Sequence, residues 1–292
     1  MSSSAPTAPA STPLAELRAE IDRIDDAIHD LLMQRGEIVA RVGREGGKGG
    51  VALRPGREAE IVRRLIARHR GDLPVRVLPR IWRELLAATT AMQGSYVVSV
   101  CEPNPAAAPS ERLLACAREH FGALTPMHVH RTPAQAIGEV GAGVAIAAVL
   151  PLPRDDEAPR DAWWTTLLQR GEPRVHVIAR LPFWARRPDG VAQSQALVVA
   201  AAAPDASGRD RSLIGLELDP AVSRTRITAS LATAGLAPVS VLMRRDPDTT
   251  RVLVEVDGML VDEDPRLAAL TDVQRPPAVL GAYAVPEEGD TL

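Results

Sequence analysis

The chain has 292 residues, 46% of them hydrophobic, with a net charge of -3 and two cysteines, which is room for two or three domains with cores of their own. That charge excludes general nucleic-acid binding, and no run of about 18 apolar residues is there to span a membrane. Cys101 and Cys116 cannot build a metal cage by themselves and fit a reduced, cytoplasmic protein. The first dozen residues, MSSSAPTAPAST, have neither a basic region nor an apolar core. They predict a disordered tail over 1–13 and no signal peptide.

The longest helical pattern comes next. Apolar residues fall at Leu14, Leu17, Ile21, Ile24, Ile28, Leu31, Leu32, Ile38, Val39 and Val42, spacings of three and four that share one helix face. Thr12 and Pro13 read as N-cap and first helical residue, and Gly43, Gly46 and Gly47 as the exit. At 1.5 Å per residue this helix is roughly 40 Å long. The two shorter helices after it cannot cover that length, so a second copy of the chain is predicted to cover the rest. A glycine-rich connection then leads to a second helix, Arg57 to Arg70 with Pro55 in its first turn, and a third from Pro74 to Met92. The first 94 residues thus read as an all-α unit.

From Tyr96 the rhythm changes. Strands are predicted at 96–100, 127–130, 144–153, 174–181 and 196–203, with helices at 110–121 and 133–140. This alternation predicts an α/β layer with parallel pairing. His128, His130 and His176 alternate on strands and read as solvent-facing, since no third metal ligand recurs nearby. Residues 205–210, DASGRD, read as a linker. Strands at 212–218, 238–245, 250–258 and 278–285, with helices at 223–234 and 264–270, complete a βαββαβ order of the ferredoxin-like kind.

Several segments carry a resemblance: LRAEIDRIDDAIHDLLMQR, Val42-Gly43, RPGREAEI at 54–61 and IWRELLAATTAMQ at 81–93. In that order they resemble the all-helical (AroQ-type) chorismate mutases. The order and composition of the chain beyond residue 94 resemble the bifunctional chorismate mutase and prephenate dehydratase proteins, which end in an ACT domain. The resemblance implies a helical mutase domain over 14–94, a dehydratase-like, periplasmic-binding-like α/β domain over 95–208, and an ACT-like module over 209–287.

It also implies an isomerase of aromatic amino-acid biosynthesis, turning chorismate into prephenate without metal or cofactor. Chorismate carries two carboxylates, and its ether oxygen gains negative charge in the transition state, where preorganised donors act most strongly. Arginine forks bind carboxylates bidentately and stay charged in a closed pocket. Arg18, Arg35 and Arg57 occupy the family's arginine positions, with Arg18 reaching into the partner's site. Arg18 and Arg35 lie 17 residues apart, about 25 Å along one helix. One ligand cannot touch both from the same chain, so the geometry also implies a homodimer with shared sites.

By the same resemblance, Glu58 holds the substrate hydroxyl, Thr89 supplies a small hydroxyl and Gln93 an amide to the ether oxygen. The family's lysine position is Gly46 here. Lys48, the one lysine among 34 basic residues, reads as the displaced catalytic lysine.

The dehydratase-like domain departs from its family. CEPNPAAAPS (101–110) replaces a Gly-rich segment, Ser194-Gln195-Ala196 stands for Thr-Arg-Phe, and Leu150-Pro151-Leu152-Pro153 lacks an acidic pair. The ACT-like module reads Val222-Ser223-Arg224 and Leu242-Met243-Arg244-Arg245 at its two signature turns, so an aromatic amino-acid effector is carried over only as a possibility of the family. The leading reading is a mutase with a dehydratase-derived, inactive appendage. Two alternatives stand beside it: a true bifunctional enzyme, and a ligand-sensing scaffold.

Overall fold

In the computed structural model, which describes residues 13–45, 53–155, 157–184 and 193–287, the chain divides into two compact units, residues 1–49 and 50–292. The described residues of the first form one helix, α1, Leu14–Glu45 (32 residues), about 48 Å long at 1.5 Å per residue. It runs past the exit predicted at Gly43, because one interior glycine costs a helix only about 1 kcal/mol and Arg44 then meets the negative helix end favourably. The tail over 1–12, Thr12, Gly46, Gly47 and Lys48 lie outside the described residues.

The second unit opens with α2, Pro55–Arg68, and α3, Val77–Ala91. Then come β1 (Val98–Cys101), α4 (Leu113–Phe121), β2 (Met127–His130), α5 (Pro133–Gly141) and β3 (Ala147–Pro151). A short helix absent from the sequence prediction, α6 (Trp164–Leu167), precedes β4 (His176–Leu181) and β5 (Ala196–Ala200). Last come β6 (Asp210–Leu218), α7 (Arg224–Thr233), β7 (Pro238–Arg245), β8 (Thr250–Asp257), α8 (Pro265–Ala268) and β9 (Ala278–Ala284).

Among the described residues the strands form one sheet in the order β2-β1-β3-β5-β4-β9-β6-β8-β7. β1 lies parallel to β2 and β3, joined through α4 and α5. The predicted parallel layer stops there, since β5 runs antiparallel to both β3 and β4. A parallel pair needs a long crossover, usually a helix, and the described residues between β4 and β5 contain none. The last four strands pair antiparallel as β9-β6-β8-β7, the arrangement of a βαββαβ module.

Compactness does not break at residue 94 or 208. α3 places Ala87 in the core of Tyr96, Val98, Cys116 and Phe121, and α2 places Ala59 and Val62 against Phe183 and Ala284. β4 pairs parallel with β9, so the middle layer and the last module share one sheet. Gly281, with φ of 142°, makes that junction possible: a Cβ there would lie 2.1 Å from the Val177 carbonyl oxygen. A second core gathers Trp163, Trp164 and Leu167 of the α6 region beneath Leu213, Leu253 and Tyr283.

Candidate active site

α1 contributes no buried residue, although Leu14, Leu17, Ile21, Ile24, Ile28, Leu31, Ile38 and Val42 are large and apolar. Their steps alternate three and four, a heptad seam. The position that the alternation skips, between Leu31 and Ile38, is Arg35. A guanidinium therefore stands inside the seam, half-buried, and Arg18 flanks it near the other end, exposed.

In the second unit, Arg57 and Glu58 occupy the first turn of α2. Adjacent helix residues point about 100° apart, and these two diverge. Arg57 is exposed and donates from Nη1 to Glu60 Oε2 at 2.8 Å. Glu58 turns inward to the Arg83 guanidinium of α3, with Nη1 2.6 Å from its Oε2. Burial pushes the Glu58 carboxyl above its ordinary range, opposed by the Arg83 charge and reinforced by Asp205. Burial likewise lowers Arg83, with Glu58 opposing. The Arg83 guanidinium also lies over the Phe183 ring, 5.5 Å from its centroid, a favourable cation–π placement.

Thr89 and Gln93 are four residues apart at the end of α3, both half-buried. The Thr89 hydroxyl donates to the Leu85 carbonyl at 2.7 Å. Thr89 lies about 9 Å along the helix from Arg83, so Glu58 is engaged well before the level of Thr89. Arg83 escaped the sequence reading. The signal was present: α3 buries Pro79, Arg83, Leu86, Ala87 and Thr90, and Arg83 stands in that register as Arg35 does in the seam.

Residues 17–94 match the family model described as chorismate mutase type II. This part of the chain is similar to the type II chorismate mutases. The bifunctional chorismate mutase/prephenate dehydratase of Aquifex aeolicus is 30% identical over 132 residues, 44% of this chain and 34% of that protein. Its namesake from Pseudomonas aeruginosa is 30% identical over 142 residues, 47% of this chain and 36% of that protein. The matched stretch spans about a third of the length of these relatives. Among solved structures, prephenate dehydratase from Arthrobacter aurescens in complex with L-Phe is 14% identical, with a TM-score of 0.45 over 67% of this chain and 92% of that one. A protein described as a novel type of quorum-quenching acylase is 18% identical, with a TM-score of 0.48 over 65% of this chain and 96% of that one. Scores of this size carry no argument about function.

Just beyond β1 the chain meets the N-terminus of α4. A helix N-terminus is a ready anion site, and here the chain fills it itself. The buried Glu102 carboxylate accepts from Leu114 N at 3.3 Å, with Arg112 Nε 3.7 Å away. The Ser194 hydroxyl donates to the Glu111 carbonyl. Burial pushes the neighbouring Cys101 thiol up to about 12.

Of the strand histidines, His128 is exposed as predicted, while His130 and His176 are half-buried. His128 Nδ1 and His130 Nε2 lie 3.0 and 3.2 Å from Glu139 Oε2, and Ser99 also donates to it. Burial opposes ionisation of Glu139, yet the Ser99, His128 and His130 hydrogen bonds outweigh it and bring the carboxyl down to about 2. His176 is half-buried, its imidazole pushed down by burial. No cluster of three or more His, Cys, Asp or Glu side chains suited to a metal occurs among the described residues. Nor is any described helix long and apolar enough to cross a membrane.

Proposed function

We propose that the chain is a chorismate mutase acting as a homodimer whose N-terminal helices pair. The observation that carries this reading is the α1 seam, apolar at every step except Arg35. Each of its side chains is about half exposed or more, and covering one contributes roughly 1 kcal/mol. Two copies of the seam together reach the size of the ~4–15 kcal/mol cost of association. Pairing brings Arg18 of one copy toward the Arg35 region of the other, which a single helix cannot do across about 25 Å.

In the assembled site Arg18, Arg35 and Arg57 hold the two carboxylates of chorismate, Glu58 its hydroxyl, and Gln93 with Thr89 the ether oxygen and its surroundings. Lys48 is assigned the second donor to that oxygen. The rearrangement is intramolecular, so no nucleophile or proton relay is required. The chain's part is to hold the bent conformer and to meet charge as it develops on the ether oxygen. The mutase domain of the dimer comprises residues 14–94. Residues 95–208 are its dehydratase-derived appendage, and residues 209–287 form an ACT-like module open to an aromatic amino-acid effector. A cytoplasmic location belongs to the same proposal.

The filled α4 end and the engaged Ser194 hydroxyl favour a mutase that stops at prephenate. A chorismate-depletion assay on the purified chain, with product identification, tests this. Prephenate accumulating without phenylpyruvate is the expected result; unconsumed chorismate refutes the mutase, and phenylpyruvate refutes the inactive appendage.

A further inference from the structure

The mutase residues of α2 are tied to a part of the chain that the proposed reaction does not use. The Asp205 carboxylate, in the segment between β5 and β6, caps α2: Oδ1 accepts from Gly56 N at 2.8 Å and Oδ2 from Arg57 N at 3.1 Å. Only glycine permits the approach, because a Cβ at residue 56 would lie 2.3 Å from the Asp205 carbonyl oxygen and 2.8 Å from that of Ala206. Two turns on, Arg63 closes the same contact. Its Nε donates to Glu287 at 2.5 Å, Nη1 to the Ser207 carbonyl and hydroxyl at 3.1 and 2.9 Å, and Nη2 to the Arg209 and Val285 carbonyls at 3.3 and 2.7 Å. A guanidinium has five N–H donors, and every one is engaged.

The acceptors are fixed in turn. Ser207 N and Oγ both donate to Asp210, at 2.9 and 2.5 Å, and Asp210 is the first residue of β6. The Asp210 carbonyl accepts from Gly258 N at 2.8 Å, just beyond β8. α2 is thus joined through a short run of hydrogen-bonded backbone to the strands of the βαββαβ module.

Resting on the proposed mutase activity, we infer that Arg63 and Asp205 are positioning residues of the mutase site, setting Arg57 and Glu58 according to where the segment before β6 lies. The site then responds to displacement of the βαββαβ module, and the 205–209 segment is its transmission rather than a slack linker. Lysine cannot stand in for Arg63, since three donors on one nitrogen cannot span acceptors on two separate backbone segments.

Arg63→Lys and Gly56→Ala in the full chain test this, with two readouts. Amide hydrogen exchange over 55–68 is expected to quicken about tenfold in both variants, while peptides from α5 and β1 keep their wild-type rates. Turnover of chorismate is expected to lose about tenfold in kcat/KM, carried by KM, because displaced ground-state contacts raise KM at constant kcat. A role in stability alone lowers the folded fraction, and so the apparent kcat, at unchanged KM. Unaltered α2 exchange, or loosened α2 with wild-type KM, overturns the inference. A wild-type chain that leaves chorismate intact overturns the mutase reading instead, and the kinetic half of this inference with it. Should Arg63→Lys fail to fold, Gly56→Ala, which touches the Asp205 and Ala206 contact alone, supplies both readouts.

Discussion

Replacing Arg83 with methionine strands the Glu58 carboxylate. Arg83 is 6% exposed, the Glu58 side chain 17% exposed, and the pair sits among Ala59, Val62 and Phe183. Removing one member of such a pair costs about 3–5 kcal/mol, because the other charge stays buried without compensation. The residual exposure of Glu58 and its freedom to take up a proton place Arg83→Met at the low end, about 3 kcal/mol at pH 7. Losing the placement over Phe183 adds roughly 0.5–1 kcal/mol. In the double variant Glu58→Leu, Arg83→Met no buried charge remains, and most of the loss returns.

The pH dependence has a definite sign. Burial raises the Glu58 carboxyl above its usual 4.5, and without Arg83 it rises further. An acid raised in the folded state binds more protons there than in the unfolded chain, so stability falls as pH rises. The deficit of Arg83→Met is therefore full above the folded value and fades as pH drops toward 4.5. Urea unfolding followed by tryptophan fluorescence, with Trp82 partly buried beside Phe183, measures the wild type and both variants. A deficit under about 1 kcal/mol, a double variant less stable than the single, or a deficit that grows on acidification refutes the reasoning.

Arg35→Ala is expected to lower kcat/KM for chorismate about 100- to 1000-fold while the chain stays dimeric by sedimentation, since losing one charged hydrogen-bonding partner costs about 2–5 kcal/mol. A dimer with undiminished turnover counts against Arg35 as a carboxylate clamp. Ile24→Asp combined with Ile28→Asp places charges in the α1 seam; analytical ultracentrifugation should show monomers, and a persistent dimer would move the interface elsewhere. The Glu139 carboxyl should titrate near 2 by carbon-detected NMR, and Ser99→Ala or His128→Ala should return it toward 4.5. Because this carboxyl is depressed in the folded state, its contribution is present above 4.5 and fades as pH falls toward 2; a midpoint near 4.5 in the wild type contradicts the shared hydrogen bonds.

Local order was legible in the residues. The three-and-four spacing gave α1, Pro55 gave the start of α2, and the runs around Val98, Met127 and Ala196 gave their strands, because periodicity and proline act over a few bonds. The three arginines, Glu58, Thr89 and Gln93 could be singled out by position, since the motif that carries them is itself local. The exit of α1 was misread for the same reason: Gly43 looked like a stop, but propagating a long helix past one glycine is cheap.

What only the tertiary structure decided was which partner each charge takes. Nothing within a few residues of Arg83 says that it meets Glu58, 25 positions earlier, or that Asp205, 148 positions after Arg57, caps α2. Nor does any local pattern join β4 to β9, or fill the end of α4 with Glu102. A charge on a helix is solvated by default, and whether burial instead forces it into a pair depends on surfaces brought together from distant parts of the chain.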